Sequence, residues 1–363
     1  MNSDQTILIA PTSHLPDQPV LREMLKDFEA AKQIGERSAR GAHWDIFRPD
    51  FDRLIRTEAL WPRFRQMGVS YRFDDSFHTG NGRGKREMLP SYAVLEEAKT
   101  WRFDGRAVQI RIADFMAKVT GLLSWEEVAF LSECSIGNPP AVPIDGRDMK
   151  ADWNDISQVF FAVQLKKLFD FGTGGSAARP VYLEIGAGYG SLAAKLRKLI
   201  PDLQCILLDL PEVNAVQRYY LSQAEPGAAI LGAGSARDDM AAALERADYL
   251  LLPAALAERV PEGYVDLAAN IRSFMEMPVS VVTDYIRTVE RVAKSNGQFY
   301  CVNALEKSTS GDVVRLAEYP FDESWSMVSP PMPLPWQTHI VALSLRRGPP
   351  GDGFRAALAS LTA

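Results

Sequence analysis

The sequence predicts an α/β protein. Its sheet is mostly parallel, covered by helices on both faces, closed by an antiparallel C-terminal edge and preceded by a helical segment. Three observations carry this. From about residue 180 onward, short apolar runs alternate with amphipathic helical stretches, as strands buried on both faces of a parallel sheet require. Near the C-terminus the alternation stops, and the late strands follow with no helix between them. Before residue 175 the apolar period is helical.

The elements follow in order. "PVLREMLKDFEAAKQI" sets Leu21, Met24, Leu25, Phe28 and Ala31 on one helical face. "FDRLIRTEALWPRFRQM" continues with Phe51, Leu54, Ile55 and Trp61, and Pro62 bends or restarts that helix. "AVQIRIADFMAKVTGLL" and "DISQVFFAVQLKKLFDF" are two further apolar-faced helices. A basic, glycine-rich break at 74–90 and a proline-rich one at 135–146 separate them, and "GTGGSAARP" is a joint ahead of the sheet. Beyond it "PVYLEIG", "LQCILLDLP", "DYLLLP", "YVDLAANIRSF", "GQFYCVNAL" and "THIVALSLRR" read as strands. "GSLAAKLRKLIP", "EVNAVQRYYLSQ", "DDMAAALERA" and "VVTDYIRTVERVA" read as helices.

The chain of 363 residues is 47% hydrophobic and 24% charged, with a formal net charge of −6. That balance speaks against nucleic acid as the main partner, because backbone phosphates call for a basic surface. Cys134, Cys205 and Cys301 are far apart and odd in number, which suits a reducing cytoplasm rather than a disulfide framework. No signal peptide is read at the N-terminus, and no apolar run reaches the roughly 20 residues of a membrane span.

"VYLEIGAGYG" carries the chemistry. An acid, Glu184, closes an apolar strand, and Gly186, Gly188 and Gly190 follow at alternate positions. Ligands of an open parallel sheet sit at the carboxyl ends of its strands, and glycine there allows a tight turn and a close approach of ligand to backbone. A dinucleotide calls for G-x-G-x-x-G, so that its pyrophosphate rests on the helix N-terminus. Here the sixth position is Ser191, and the fit is poor. S-adenosylmethionine has no pyrophosphate. Its ammonium suits an acid at the first strand end, and its ribose diol suits an acid at the end of the next strand. That second acid is Asp209 in "CILLDLPEV". Asp209 alone would also suit NAD; Glu184 with the G-x-G-x-G spacing discriminates.

"LEIGAGYG" followed by "LLDL" resembles the class I, Rossmann-like S-adenosylmethionine-dependent methyltransferases. "IGNPPAV", "EIGAGYGSLAAKL", "LLDLPEV", "YYLSQ", "NIRSFMEMP", "YIRTVERV" and "FYCVNALEK" resemble the sugar O-methyltransferases of bacterial surface-polysaccharide and secondary-metabolite clusters. The resemblance covers roughly residues 130–345 and is strongest over 181–305. It implies S-adenosyl-L-methionine as cofactor and a hydroxyl of a small-molecule acceptor, a sugar or sugar-containing metabolite, as methyl acceptor. N- or carboxylate methylation of a peptide or other natural product is the alternative. The chain itself reads as a helical lid and acceptor segment over 1–150 followed by a cofactor-binding domain over 151–363. Rival readings are an NAD-dependent oxidoreductase and a binding module without turnover.

Glu184, Gly186, Gly188, Tyr189, Gly190, Asp209, Leu210 and Asn270 are the expected cofactor-binding residues. Asn270 lies where a strand leaves the sheet, in an N-x-x-S-x-x-E-M stretch that recurs in the resembling family. Asn270, Glu276 and His339 are the catalytic candidates, and Ser273 is a weaker one. Imidazole is a base near neutral pH, though a lone histidine at a strand start is more often structural. Glu276 reads equally as a charge at the next helix N-terminus. The resemblance adds Trp153, Asn154 and Gln158 on a helix roofing the cofactor. Trp325 and Trp336 read as pocket wall or packed core. His78, Arg83, Lys85 and Arg86 lie in the 74–90 loop, which either closes over an anionic acceptor or is simply solvated. No metal is expected: "ARDDM", with Asp238 and Asp239, reads as a helix start. A homodimer is an open alternative.

Overall fold

The computed structural model describes residues 6–9, 18–34, 51, 54–66, 101–139, 141–173, 179–309 and 312–348. Ahead of the main sheet are strand β1 (Thr6–Ile9), helix α1 (Gln18–Ile34) and a 3-10 helix (Glu58–Gln66). Next come β2 (Trp101–Asp104), α2 (Gly105–Lys118) and α3 (Trp125–Leu131). Two short strands, β3 (Val142–Pro143) and β4 (Lys150–Ala151), lead into α4 (Trp153–Thr173). β1 pairs antiparallel with β2, and β3 with β4. Pro62 explains the 3-10 stretch: it cannot donate to a helical ladder, so the expected α-helix gives way to a tighter coil around it. α3 starts on a capping box, with Ser124 and Glu127 each accepting from the other's backbone.

The main sheet has eight strands. They are β5 (Val181–Ile185), β6 (Gln204–Asp209), β7 (Ile230–Leu231), β8 (Tyr249–Pro253), β9 (Val265–Ile271), β10 (Ala293–Ala304), β13 (Trp325–Leu334) and β14 (Gln337–Arg347), and the hairpin of β11 (Glu306–Thr309) and β12 (Asp312–Arg315) stands apart from them. The helices between them are α5 (Ser191–Leu199), α6 (Pro211–Ala224), α7 (Ala233–Asp238), α8 (Met240–Arg246) and α9 (Val279–Val292). The spatial order is β13-β14-β10-β9-β5-β6-β8-β7. All pairs from β10 to β7 are parallel, and β14 and β13 add an antiparallel edge. This is the expected Rossmann-like α/β class. The chain leaves β5 to one side through β6 and returns on the other with β9, so the switch point, where such sheets bind ligands, lies at the carboxyl ends of β5 and β9.

Alternation along β5 divides the core. Tyr182 packs with α4, α5 and α6 on one face, whereas Val181, Leu183 and Ile185 pack with α9 and β14 on the other. Glu184 therefore falls on the Tyr182 face. The core on that face runs continuously from Leu21, Met24 and Phe28 of α1, through Trp61 and Phe64, to Ile340 of β14. Apolar packing thus crosses the 150/151 division.

Two details follow from position in the fold. Residues 329–334, "SPPMPL", form most of β13 and bring three prolines into it. β13 is the outermost strand, where a missing N–H leaves no ladder bond unmade, and its pairing shifts register three times to seat them. Asp239, read as part of one helix start, ends α7 and caps α8, its carboxylate accepting from Ala242 N at 3.0 Å.

Candidate functional site

β5 delivers Glu184 to the rim of a solvent-open cleft of about 440 Å³. Its walls are Glu184, Gly186, Ala187, Gly188, Tyr189, Ser191 and Leu192, with Asn154 and Gln158 of α4 and Ile271 of β9. Glu184 is buried, and one of its carboxylate oxygens has no hydrogen-bond partner. Burial pushes its carboxyl up to about 8; the Tyr182 phenol lowers it, and the charge of Asp209 adds to the rise. An unmatched buried carboxylate facing a cleft suits an incoming cation.

The turn after β5 depends on glycine. Gly186 has φ +70°, and a Cβ there would lie 2.2 Å from Ser273 Oγ. We expect Gly186→Ala to lower unfolding stability in urea by at least roughly 1–3 kcal/mol, the usual cost of a left-handed non-glycine residue. Unchanged stability would show that the turn relaxes to a conformation that a side chain accepts. Gly188 has φ +55° and donates its N–H to Asp209 Oδ2 at 3.2 Å.

Asp209 ends β6. Its Oδ1 accepts from Leu210 N at 2.8 Å, and burial pushes its carboxyl up to about 7 against the pull of those backbone donors. Leu210 is half-buried as the N-cap of α6, with Pro211 following it. Asp209 and Leu210 are both partly exposed and are not among the residues lining the cleft. Tyr189 is buried, its ring 4.8 Å from Tyr220 and 5.0 Å from the Arg65 guanidinium. Its phenol oxygen accepts from Asn154 Nδ2 at 3.2 Å, and burial raises its pKa.

Asn270, Glu276 and His339 are not among the residues lining the cleft. Asn270 is fully buried; its Nδ2 donates to Ile185 O at 3.0 Å and to Ser273 Oγ, while its Oδ1 accepts from Phe274 N at 3.2 Å and Asn303 Nδ2 at 2.9 Å. Its amide locks the β9 turn to the ends of β5 and β10. Ser273 Oγ donates to Ile185 O at 3.1 Å and fills the space a Gly186 side chain would need. Glu276 pairs with Lys307 of β11 at 3.6 Å. His339 is exposed. It alternates with buried Ile340 and so shares the face of Val341, opposite to that of Tyr182 and Glu184.

Trp153 is buried against Phe115, with the Arg111 guanidinium 4.1 Å from its ring. Trp325 packs with Phe299 and Phe321 in the opposite core. Trp336, at the β13–β14 turn, meets Phe115 and Phe160 with ring centroids 4.6 Å and 4.8 Å away. These tryptophans are packing groups. His78, Arg83, Lys85 and Arg86 lie outside the described residues. Among the described residues, no group of three or more His, Cys, Asp or Glu is arranged to hold a metal ion, and no helix is long and apolar enough to cross a membrane.

Sequence reading missed the ionic network behind the cleft. Ser191 lines the cleft, and its Oγ accepts from Lys195 Nζ at 3.1 Å. Lys195 pairs with Asp155 at 2.6 Å, and both are buried. Asp155 Oδ2 also accepts from Glu133 N at 3.0 Å. One turn away, Asp152 caps α4 by accepting from Asp155 N at 3.0 Å and forms a buried ion pair with Arg65. The network joins the 3-10 helix, the 132–138 loop, α4 and α5. The available signal was Lys195 four residues after Ser191, just ahead of the basic Arg197 and Lys198 and among Leu192, Ala193, Ala194 and Leu196.

No family model matches the sequence, and no curated protein matches it. Among solved structures, the mitomycin 7-O-methyltransferase MmcR is similar at 16% identity over 53% of this chain and 58% of that one, with a TM-score of 0.34. A SAM-dependent methyltransferase from Aquifex aeolicus is similar at 13% identity over 51% of this chain and 89% of that one, TM-score 0.31. A protein solved in work on disulfide-to-thioacetal conversion in echinomycin biosynthesis is similar at 16% identity over 56% and 86%, TM-score 0.32. The chain thus spans less than two thirds of the length of the mitomycin enzyme.

Proposed function

We propose that the protein binds S-adenosyl-L-methionine at the β5–α5 turn and transfers its methyl group to a hydroxyl of a small-molecule acceptor, a sugar or sugar-containing metabolite. The observation that carries this is Glu184: a buried carboxylate with an unpartnered oxygen, at the switch point of a parallel sheet, above a turn of alternating glycines. An ammonium matches that oxygen, whereas a pyrophosphate brings no donor to it. The proposed cofactor set is Glu184, Gly186, Gly188, Tyr189 and Gly190 at the amino-acid end, with Asp209 and Leu210 at the nucleoside end. Asn270 has a positioning role in this set.

When bound, the cofactor supplies an electrophilic sulfonium methyl with a neutral leaving group, so the chain's task is chiefly alignment. Asn154, Gln158 and Ser191 line the cleft with neutral amide and hydroxyl groups, which supports a hydroxyl-bearing acceptor. The segment 1–150 is proposed as lid and acceptor-binding part, since its Phe64 and Arg65 pack on Tyr189 of the glycine turn.

The test is calorimetric titration with S-adenosylhomocysteine, with NAD as control. Binding of the first alone is expected. Asp209→Ala should weaken it without unfolding the chain; undiminished affinity would remove Asp209 from the ribose role. Binding of NAD alone would replace the methyltransferase reading with an oxidoreductase one.

A further inference from the structure

Behind the glycine turn stands an amide side chain that the cofactor set leaves without a role. Gln217 of α6 is fully buried. Its Nε2 donates to Gly188 O at 2.9 Å and reaches Asp209 Oδ2 at 3.4 Å, the weaker arm. Its Oε1 accepts from Asn214 Nδ2, one helical turn earlier, at 2.9 Å. That bond from Asn214 turns the donor end of Gln217 toward the turn. Gly188 N–H in turn donates to Asp209 Oδ2 at 3.2 Å. The ring closes on itself: Gly188 donates to Asp209 on one side and accepts from Gln217 on the other, and Gln217 also touches Asp209.

We propose that Gln217 is a positioning residue for the nucleoside end of the cofactor, holding the Asp209 carboxylate against the Gly188 backbone in the orientation that receives a ribose diol. The proposal rests on the S-adenosylmethionine reading above. Two geometric facts support it. Asp209 Oδ2 accepts from Gly188 and Gln217 and Oδ1 from the Leu210 N–H, with the Ala187 N–H also acting on the carboxylate, so its plane is fixed against the turn. An apolar side chain in place of Gln217 would leave the Gly188 carbonyl without its donor and free the turn to tilt away from Asp209. Gln217 therefore sets how strongly the site prefers a nucleoside with both ribose hydroxyls.

The experiment compares S-adenosylhomocysteine with its 2′-deoxy analogue on the full chain and on Gln217→Met, which nearly conserves volume. Wild type should prefer the diol. In Gln217→Met, affinity for S-adenosylhomocysteine should fall about tenfold, as for one lost bond near a charged acceptor, while the deoxy analogue loses much less. Equal weakening of both ligands, or none, overturns the proposal in favour of plain packing. Asn214→Ala, which releases only the anchor of Gln217, should move the preference the same way by a smaller factor, and serves if Gln217→Met does not fold. Hydrogen exchange of the Gly188 amide needs no ligand and should be faster in either variant; unchanged exchange overturns the positioning role. If wild type binds neither ligand while Gly188 exchange still responds to Gln217→Met, the cofactor reading fails and the nucleoside role fails with it.

Discussion

Glu184→Gln is expected to weaken S-adenosylhomocysteine binding by roughly 10- to 150-fold, the range for a lost charge-assisted bond, and to change the pH dependence of both binding and stability. Burial raises the Glu184 carboxyl from an ordinary 4.5 to about 8, so at neutral pH the free protein holds the proton. An ammonium arriving at the unpartnered oxygen favours the ionised form. Binding should therefore release a proton near pH 7, seen as a dependence of the calorimetric enthalpy on the buffer, and affinity should rise with pH up to about 8.

Stability moves the other way. Between pH 4.5 and about 8 the unfolded chain has lost this proton and the folded chain has not. The folded state binds more protons, and unfolding free energy falls as pH rises through that window. Glu184→Gln removes the titration, so its stability relative to wild type should climb across the window and level off above it. Asp209, raised to about 7, adds a smaller change of the same sign that the Gln variant retains. A pH-independent difference between Glu184→Gln and wild type, with binding unaffected, would remove Glu184 from the ammonium role.

The second large effect is expected at Lys195. Lys195→Met removes the cation from the buried Asp155 carboxylate, whose Oδ2 keeps the Glu133 N–H, and should cost about 3–5 kcal/mol in urea unfolding. Against a usual total of about 5–15 kcal/mol, that is a substantial share. The double variant Lys195→Met, Asp155→Leu should lose clearly less than the two single losses added, because no charge is then left unpaired. Additive losses would mean that the two groups do not interact, contrary to their 2.6 Å separation. Because Lys195 also holds Ser191 at the cleft, the single variant should weaken cofactor affinity as well.

The glycine turn of the candidate site was legible because its requirements are local. A strand ending in an acid, and a turn that only glycine can make, lie in one run of ten residues at 181–190. The apolar continuity of β5, β6, β8, β9 and β10 likewise shows in the chain itself, since strands covered on both faces have no polar side to hide. The surroundings of the catalytic candidates were not legible in the same way. Asn270 stands at the expected strand end, but β5 and β10 flank it and take up its amide. His339 stands at the expected edge, but strand alternation turns it to the other face.

By itself, then, the sequence determined the α/β class, the antiparallel edge, the glycine turn and the two acids Glu184 and Asp209. Each follows from the apolar period or backbone freedom of contiguous residues. Only the tertiary structure decided that Lys195 is buried rather than solvated, that Asn270 locks a turn, that Gln217 braces Gly188 and that three prolines sit in an edge strand. Each of these depends on what a side chain or N–H meets from a segment distant in sequence. Lys195 and Asp155 are forty residues apart, and a charge on a helix face looks the same in sequence whether water or a carboxylate lies opposite. Packing of α4 on α5 settles which one it is.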